Sequence, residues 1–574
     1  MIDAKVRWLA AIIFAAMLLV GTSIEFVLNS DFGRLEVKTV LISDGNKELC
    51  GLLYRPYLAS SQNPFPSVVI AHGISESKEI MSNLGLELAR RGFVVLCLDL
   101  LGHGASGGTV EEGKIDPSFG VQAAVNYLKS LPFINKSAIG LVGHSLGGGA
   151  VRATAAKDSQ IRALVLIAGG VSDVEQSPQY GMLNATFPKN LLVIVGKYDV
   201  LFNLSDLAAR ELPHVFDTRE QVIPGVVYGS FQSQTAREFF TPATTHLFES
   251  IDSSVILEVA SWMQKSLETM QQSNSVTNLI YFEREVAILI IFIALLGLIF
   301  LAFFPITRVI SLKARKEIPN RKYSMFKEWR AYTVWGGLNI ALFLPMVFVG
   351  FAISFPPMVF GASIAWWMLS VGLVGLLIIS RKLLKPSEKE VSLKMRFAVA
   401  FDRNVVLIAL TLFVLLLTIV SLLEATLTID IRIISPIFRG FTSARRVLVF
   451  PAFLPFFLIY FIAEGLYLHS EPYDSSEKQR SLGDIMDWLG SVFGKIMPFV
   501  AIIALQYLPK VLFNIWVLPS FVGFLIEFLW VITPIFVITT TCSWWFYRNS
   551  HRMMMGAMFN ALILAWVAAV VFPF

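Results

Sequence analysis

Residues 138–150 read AIGLVGHSLGGGA, and this stretch decides the fold class. Its first five residues form a short apolar run typical of a strand buried on both faces. The pentapeptide GHSLG, residues 143–147, follows at once, and small residues then continue toward a helix. A G-x-S-x-G turn holds its serine in a strained backbone conformation, and Gly143 and Gly147 relieve clashes with neighbouring backbone. The pattern predicts an exposed Ser145 hydroxyl at the positive N-terminus of a helix.

Similar apolar runs flank this turn and alternate with helix-like segments. The apolar runs are residues 67–71, 93–98, 163–168 and 191–195. The segments between them, such as 79–91 and 119–131, have helical spacing and stop at glycine or proline. Strands and helices that alternate in this way are typical of a parallel sheet. We therefore expect an α/β domain over residues 31–270, with a mostly parallel, doubly wound sheet.

These motifs make the chain resemble the α/β-hydrolase superfamily over roughly residues 35–270. The resemblance implies that Ser145 is a nucleophile. His72-Gly73 ends the preceding strand-like run, as the oxyanion motif of that superfamily does. By the same resemblance, the backbone N–H groups of Ile74 and Leu146 would bind the tetrahedral oxyanion, where backbone donors need no particular side chain.

Two aspartates follow apolar runs and compete for the role of a catalytic acid. Asp99 begins the stretch DLLGHGAS, residues 99–106, which resembles a loop that is structural or lines the site in that superfamily. We do not assign Asp99 to a triad. Asp199 lies in GKYD directly after the run at 191–195, which matches the acid position in the chain order serine, acid, histidine. The alternative for Asp199 is an ordinary turn aspartate.

A serine hydroxyl needs an imidazole base to react near neutral pH. Between Asp199 and the end of the soluble domain the sequence contains His214 and His246. His246 is the better candidate because it follows a strand-like run and precedes a helix-like one, whereas His214 lies too close to Asp199. The resemblance thus implies the triad Ser145, His246 and Asp199, and a solvated loop histidine is the alternative for His246.

The chain leaves little room for a lid over this site. Only a short connection separates the run ending at Ala168 from that starting at Leu191, which implies a small or shallow acyl site. This part resembles small esterases and dienelactone-hydrolase-like members more than lid-bearing lipases. The resemblance implies no cofactor and no metal.

Composition and hydropathy place the rest of the chain in a membrane. The mean hydropathy is +0.65, with 55% hydrophobic and 16% charged residues. Three cysteines exclude a disulfide framework, and no nucleic-acid motif accompanies the net charge of +5.

We expect an N-terminal transmembrane anchor at 1–30, with a cleaved signal peptide as the alternative, then a linker at 271–285. About eight transmembrane helices follow over 286–574, an all-α polytopic bundle, near 286–304, 331–351, 358–379, 405–423, 447–468, 498–517, 521–541 and 553–571.

Basic residues predict the orientation of these spans. Lysine and arginine crowd the loop after the first C-terminal span and the loop before residue 405. The positive-inside rule makes both loops cytoplasmic, and counting spans back puts Lys5 and Arg7 inside and the hydrolase domain outside. One loop disagrees, because it would carry four arginines outside: Arg432, Arg439, Arg445 and Arg446. Glu424, Glu464 and Glu527 lie in apolar spans, where they mark either an ion path or helix-packing pairs.

Two classes of function fit this sequence. The first is a membrane-embedded serine hydrolase that acts outside the cytoplasm on a small or lipid-like acyl substrate. Its expected partner is the lipid bilayer, and no nucleic-acid partner is expected. The second is a multispan transporter or sensor whose outer domain keeps the hydrolase fold as a binding module, since fold alone does not establish activity. The complete set of expected catalytic residues favours the first, and a combined role, with the bundle delivering what the hydrolase cleaves, is also open.

Overall fold

The computed structural model describes residues 3–171, 180–267, 278–312, 325–383, 403–432, 437–468 and 480–574. Much of the expected linker at 271–285 and of the two basic loops that the sequence predicts to be cytoplasmic lies outside these residues. Helix α1 spans Ala4–Asn29 and leads directly into the first strand of a large sheet. At 26 residues, it is long enough to cross the apolar part of a bilayer.

The sheet and its helices follow the expected alternation. The strands are β1 (Leu35–Asp44), β2 (Lys47–Pro56), β3 (Phe65–Ala71), β4 (Val94–Leu98), β5 (Ile134–His144), β6 (Ile161–Ile167), β7 (Leu191–Ile194), β8 (Val227–Tyr228) and β9 (Arg237–Phe240). The helices are α2 (Ser82–Arg90), α3 (Val110–Ile115), α4 (Val121–Ser130), α5 (Leu146–Lys157), α6 (Leu204–Asp206) and α7 (Ser253–Ser266). A short 3-10 helix, His246–Ile251, precedes α7.

The strand order confirms a mostly parallel sheet. Within the described residues the order is β1-β2-β4-β3-β5-β6-β7-β9-β8. Strands β4, β3, β5, β6, β7 and β9 run parallel, and the antiparallel strands β1, β2 and β8 lie at the two edges. The carboxyl ends of the parallel strands therefore meet at one edge, where the loops after β3, β5, β7 and β9 come together.

Both faces of the sheet are covered, as a doubly wound fold requires. Val69 of β3 packs with Val125 of α4 on one face, and its neighbour Val68 packs on the other face with Leu84 of α2. Successive side chains of a strand point to opposite faces, so a strand buried on both sides is apolar throughout. This explains the continuous runs of valine, leucine and isoleucine in the central strands.

The remaining long helices indicate a multipass membrane protein. After the hydrolase-like domain come α8 (Tyr281–Val309), α9 (Met325–Ile353), α10 (Gly361–Leu383), α11 (Arg403–Leu427), α12 (Ala444–Leu468), α13 (Arg480–Phe513), α14 (Ser520–Glu527), α15 (Leu529–Ser550) and α16 (Met553–Val571). Helices α14 and α15 together make one span, so the described residues contain nine spans by length and composition, α1 included. Two short strands, β10 (Ile431–Arg432) and β11 (Ile437–Phe438), lie between α11 and α12.

The bundle meets the α/β domain at one end. Arg284 near the start of α8 donates to Ser82 Oγ at 2.8 Å, and the Ser520 backbone N–H at the start of α14 donates to the Val200 carbonyl at 3.2 Å. Beyond α16, the backbone N–H of Phe574 donates to the Gly102 carbonyl at 3.2 Å. The contacts at the start of α14 and beyond the end of α16 come from opposite ends of the last two spans, as expected if the α/β domain lies on one side of a membrane.

The basic clusters flank the other end of the bundle. The Arg7 guanidinium lies 4.5 Å from the centre of the Phe304 ring, which brings the start of α1 beside the end of α8. The Asn404 side chain donates to the Ser311 carbonyl at 2.6 Å, which joins the start of α11 to the same place. The start of α1, the end of α8 and the start of α11, which border the N-terminal charges and the two basic loops in the sequence, therefore lie together at the end of the bundle away from the α/β domain.

The loop between α11 and α12, which disagreed with the charge rule, is held against the α/β domain. Arg432 donates to the Glu79 carbonyl at 2.6 Å, and Arg439 forms an ion pair with the Glu79 carboxylate at 3.1 Å. Arg446 donates to the Ala569 carbonyl at 2.8 Å. Arg432 and Arg439 are therefore buried against the Glu79 segment of the α/β domain, and Arg446 is buried against a backbone carbonyl of α16, so all three lie inside the protein.

Candidate active site

Ser145 lies in a tight turn between β5 and α5. Its backbone has φ 51° and ψ −114°, a left-handed conformation that non-glycine residues rarely adopt. A Cβ atom on Gly143 would lie 2.2 Å from the carbonyl oxygen of Gly147, and one on Gly147 would lie 2.4 Å from that of Ala71. Only glycine fits these positions, because the obstructing atoms are backbone. The structure thus has the nucleophile-elbow geometry expected for residues 143–147.

The structure brings Ser145, His246 and Asp199 together. His246 Nε2 lies 3.1 Å from Ser145 Oγ, and His246 Nδ1 lies 2.8 Å from Asp199 Oδ2. Asp199 follows β7, and His246 begins the 3-10 helix after β9, so both side chains come from loops at the same edge of the sheet as the elbow. With Nδ1–H donating to the carboxylate, Nε2 is free to accept the serine proton.

The electrostatics of this cluster suit a base. His246 and Asp199 are each 1% exposed. Burial by itself would lower the pKa of His246, but the adjacent Asp199 carboxylate outweighs burial and raises that pKa above its ordinary value. A raised pKa makes the imidazole a stronger proton acceptor at the moment of attack.

The loop after β3 lies against the elbow, where the oxyanion donors were expected. A Cβ atom on Gly73 would lie 3.3 Å from the Cβ atom of Ser145, which puts the backbone before Ile74 in contact with the nucleophile. Leu146 is the first residue of α5, next to Ser145. The expected donors therefore flank Ser145 from two sides, and their role stays a prediction.

A second histidine supports this arrangement and was not assigned from the sequence. His144 Nδ1 lies 3.2 Å from the Glu76 carboxylate, and His144 Nε2 lies 3.1 Å from the carbonyl oxygen of His246. Glu76 also accepts the backbone N–H of Gly73 at 2.7 Å. Burial would raise the pKa of Glu76, but His144 and this N–H lower it to about 2. The result is a bridge from the loop after β3 to the loop that carries His246.

Asp99 and His214 lie outside the cluster. Asp99 accepts the Lys78 backbone N–H at 2.7 Å, its ammonium at 2.8 Å and the Ala105 N–H at 2.8 Å. It therefore fastens the loop after β4, which agrees with leaving it out of the triad. His214 is exposed in a turn after α6.

Glu249 is a buried acid beside the triad that the sequence did not single out. Its carboxylate accepts the Gly196 backbone N–H, and its ligand atoms lie within 4.8 Å of those of Asp199 and His246. Three such groups could hold a metal ion. However, burial and then the Asp199 charge raise the pKa of Glu249 well above its ordinary value. His246 Nδ1 already faces Asp199 at 2.8 Å and the Glu249 carboxylate already accepts the Gly196 N–H, so all three groups have partners within the protein.

Membrane helices cover the cluster, where the sequence predicted a small or shallow site without a large lid. The Phe524 ring of α14 meets the His246 ring edge-on at 5.1 Å between centroids. The Glu527 carboxylate accepts the Leu247 backbone N–H at 3.0 Å, and Ile74 packs against the core of the bundle. The small or shallow acyl site stays a prediction, whereas the cover over the cluster is a feature of the structure. The cover comes from a distant part of the chain, which a search for an inserted lid could not reveal.

The other two acids singled out in the spans also have partners. Glu424 accepts the Gly440 backbone N–H at 2.8 Å. Glu464 forms a buried ion pair with Lys495. Both contacts support helix packing.

The comparisons with known proteins agree with the sheet order and the elbow. A family model described as the alpha/beta hydrolase fold matches residues 66–221. This chain contains an α/β-hydrolase domain. Esterase FrsA from Vibrio cholerae is 31% identical over 145 residues, which is 25% of this chain and 34% of that protein. Thiohydrolase aneE from Aspergillus aculeatus is 31% identical over 121 residues, 20% of this chain and 38% of that one. The chain thus spans about a third of the length of these relatives.

A solved dienelactone hydrolase from Anabaena variabilis is similar to the α/β-hydrolase domain as well. It is 22% identical, with a TM-score of 0.28, over 41% of this chain and 99% of that chain. At this score the likeness adds no argument to the strand order and the family match.

Proposed function

We propose that this protein is a membrane-embedded serine hydrolase that cleaves an acyl bond, with an ester as the first choice and a thioester or amide as related substrates. The observation that carries the proposal is the continuous hydrogen-bonded line from Ser145 Oγ through the His246 imidazole to Asp199, at 3.1 and 2.8 Å. The esterase and thiohydrolase relatives support the same chemistry.

The acylation half-reaction follows from this geometry. Ser145 Oγ attacks the acyl carbon while His246 Nε2 takes the hydroxyl proton. The carbonyl electron pair moves to oxygen, and the N–H groups of Ile74 and Leu146 stabilise the resulting charge. When the tetrahedral intermediate collapses, the bond to the leaving oxygen breaks, and that oxygen takes the proton from His246. An alcohol leaves and an acyl ester remains on Ser145.

Water completes the cycle by the same steps. A water molecule loses a proton to His246 Nε2 as its oxygen attacks the acyl carbon on Ser145. Collapse of the second intermediate breaks the bond to Ser145 Oγ, which recovers the proton from His246. Asp199 holds the imidazole in the required tautomer throughout and stabilises the imidazolium that forms twice in each cycle.

The side of the membrane follows from charge. The start of α1, the end of α8 and the start of α11, which carry Lys5 and Arg7 or border the basic loops in the sequence, lie at the end of the bundle opposite the hydrolase domain. Positive charge is enriched in cytoplasmic loops, so we infer an extracytoplasmic hydrolase domain.

Covalent labelling tests the chemistry and the side together. A fluorophosphonate probe reacts with an activated serine, and we expect Ser145→Ala and His246→Ala to lose labelling. His214→Ala is the matched control, because His214 is exposed and outside the cluster. An impermeant probe should label intact cells as strongly as broken ones. Absence of labelling in well-folded protein would favour the binding-module function, and labelling only of broken cells would reverse the orientation.

A further inference from the structure

An apolar cavity of about 100 Å³ lies inside the membrane bundle directly beneath the candidate active site. Helices α9, α10, α12, α14, α15 and α16 contribute side chains to its wall, among them Val347, Phe457, Leu525, Leu564 and Ala568. Ser363, on the same wall, donates its hydroxyl to the Val347 carbonyl at 2.9 Å. The lining contains no ionisable group, so the cavity suits an apolar occupant.

The cavity is joined to the triad on two sides. The loop that places Gly73 against Ser145 continues through Ile74 to Ser75, and Ser75 is part of the cavity wall. On the other side the Phe524 ring touches the His246 ring, and it packs edge-on at 5.0 Å against Phe528, which also lines the cavity. An acyl chain whose carbonyl lies at Ser145 therefore meets the cavity at Ser75, the residue after Ile74.

Ser75 lies between the polar candidate active site and the apolar cavity. It is 6% exposed, and its hydroxyl has no hydrogen-bond partner among the described residues. Its backbone has φ 61°, a conformation that costs energy for a residue with a Cβ atom. A buried hydroxyl without a partner is unfavourable, and it becomes satisfied if a bound molecule presents an oxygen at that point. An ester oxygen at the head of an apolar chain meets this requirement.

We propose that this cavity is the acyl-chain pocket of the hydrolase, so that the membrane bundle, rather than a lid, selects the substrate. The proposal rests on the proposed serine hydrolase function and names its substrate class: an ester with an apolar acyl chain. The volume corresponds to roughly eight water-sized units, which suits an acyl chain of about eight carbons. The ester lies between Ser145 and Ser75, and the chain descends between α16 and α9.

The test compares p-nitrophenyl esters with acyl chains from acetyl to dodecanoyl, using purified full-length protein in detergent. Each methylene that enters an apolar pocket contributes about fourfold to binding, and we expect kcat/KM for the octanoyl ester to exceed that for the acetyl ester by at least tenfold. Ala568→Leu narrows the pocket, and the octanoyl-to-acetyl ratio should fall at least tenfold. Leu564→Ala widens it, and the preferred chain should lengthen.

The matched control is Ala341→Leu, which adds the same atoms to an exposed position of α9 outside the cavity. Its chain-length profile should equal that of the wild type. A fourth variant, Ser75→Gly, which removes the hydroxyl without backbone strain, should lower kcat/KM for all chain lengths by a similar factor. Fluorophosphonate labelling of each variant reports that its site is folded.

The outcomes separate the pocket from the proposed function. Two results would contradict the acyl-chain pocket and leave the proposed hydrolase function intact. The first is equal hydrolysis of all chain lengths by the wild type, and the second is an Ala568→Leu variant that labels normally and keeps the wild-type octanoyl-to-acetyl ratio of kcat/KM. If the wild type is not labelled by the probe and hydrolyses none of the esters, this result contradicts the proposed function and therefore the acyl-chain pocket as well. Octanoyl and acetyl glycerolipids in proteoliposomes, compared with the p-nitrophenyl esters in detergent, distinguish a bilayer lipid from a soluble ester, and a preference for the octanoyl chain in either assay supports the pocket.

Discussion

At the scale of single residues, the chemistry of the candidate site depends on the groups around the His246 imidazole. His246 lies between Ser145 Oγ, the Asp199 carboxylate and the edge of the Phe524 ring. Burial disfavours a charged imidazole, whereas Asp199 and, after it, the Glu527 and Glu76 carboxylates favour it, and the net effect is a raised pKa. The pKa of His246 is therefore set by a balance between burial and the neighbouring carboxylates, of which Asp199 has the largest effect.

This balance predicts the pH dependence of activity. The neutral imidazole is the active form, so kcat/KM should rise with pH through a His246 pKa above its ordinary value. Asp199→Asn removes the charge that raises this pKa, so the acid limb should move to lower pH while kcat/KM falls by roughly 10⁴-fold. The measurement is a pH profile of ester hydrolysis. Asp217→Asn, at an exposed aspartate, is the control, and an unmoved acid limb in Asp199→Asn would remove His246 as the base.

At the scale of elements, the strand-turn-helix unit of β5 and α5 is the most constrained part of the hydrolase domain. Ser145 is held in a left-handed conformation, and α5 starts so close to the end of β3 that backbone atoms nearly touch. The position of the nucleophile is thus set by two strands and a helix at once, and it does not depend on side-chain packing alone.

This close approach predicts unequal effects of two alanine substitutions in the same helix. In Gly147→Ala the new Cβ would lie 2.4 Å from the Ala71 carbonyl oxygen, so the elbow must shift, at a cost of about 1–3 kcal/mol or more. In Gly149→Ala the Cβ meets only the Tyr180 side chain at 3.3 Å, and the gain in helix propensity offsets this contact. Thermal inactivation of fluorophosphonate labelling measures both. Equal stability of the two variants would contradict the tight packing.

At the scale of the whole molecule, buried ion pairs fasten the hydrolase domain to the bundle. Arg284 of α8 is fully buried and donates to Glu25 of α1 at 3.0 Å and to Asp430 at 2.8 Å. The same guanidinium reaches Ser82 and Asn83 of the hydrolase domain. One side chain therefore joins helices α1 and α8 of the bundle to the segment after α11 and to α2 of the hydrolase domain.

Removal of this junction should destabilise the protein. Arg284→Met leaves Glu25 and Asp430 buried with less compensation, a change that typically costs about 3–5 kcal/mol. Arg34→Ala is the matched control, because Arg34 pairs with Asp31 at 3.6 Å with 76% of its side chain exposed, and such pairs contribute about 1 kcal/mol or less. Thermal unfolding in detergent, followed by light scattering, compares the two. An Arg284→Met variant as stable as Arg34→Ala would show that the junction does not support the assembly.

Much of the fold could be predicted because its signals are local. The GHSLG turn, the apolar strands and the long apolar spans are each encoded within some twenty neighbouring residues or fewer, and the structure confirms the mostly parallel sheet and shows helices at all eight expected C-terminal spans. Ser145, Asp199 and His246 were chosen by their order along the chain, and they lie within hydrogen-bond distance of each other. Their catalytic roles stay a prediction.

The features that were missed join distant segments. His144 is inside the motif, yet its bond to Glu76 depends on how the loop after β3 folds back. The four arginines near the start of α12 disagreed with the charge rule because their partners lie more than a hundred residues away, as Arg432 and Glu79 show. A charge count along the chain treats every arginine as solvated, and only packing distinguishes a buried ion pair from a cytoplasmic loop.

The sequence by itself determined the kind of domain, the turn that holds Ser145 and the number of apolar spans, because strand-turn-helix geometry and membrane length are properties of short segments. Only the tertiary structure decided that the bundle covers the triad and encloses an apolar cavity next to Ser75. Helices from residues 325 to 571 build that cavity, and their relative placement follows from packing and buried ion pairs. Such contacts leave no periodic pattern in the chain, so they appear only when the whole molecule is assembled.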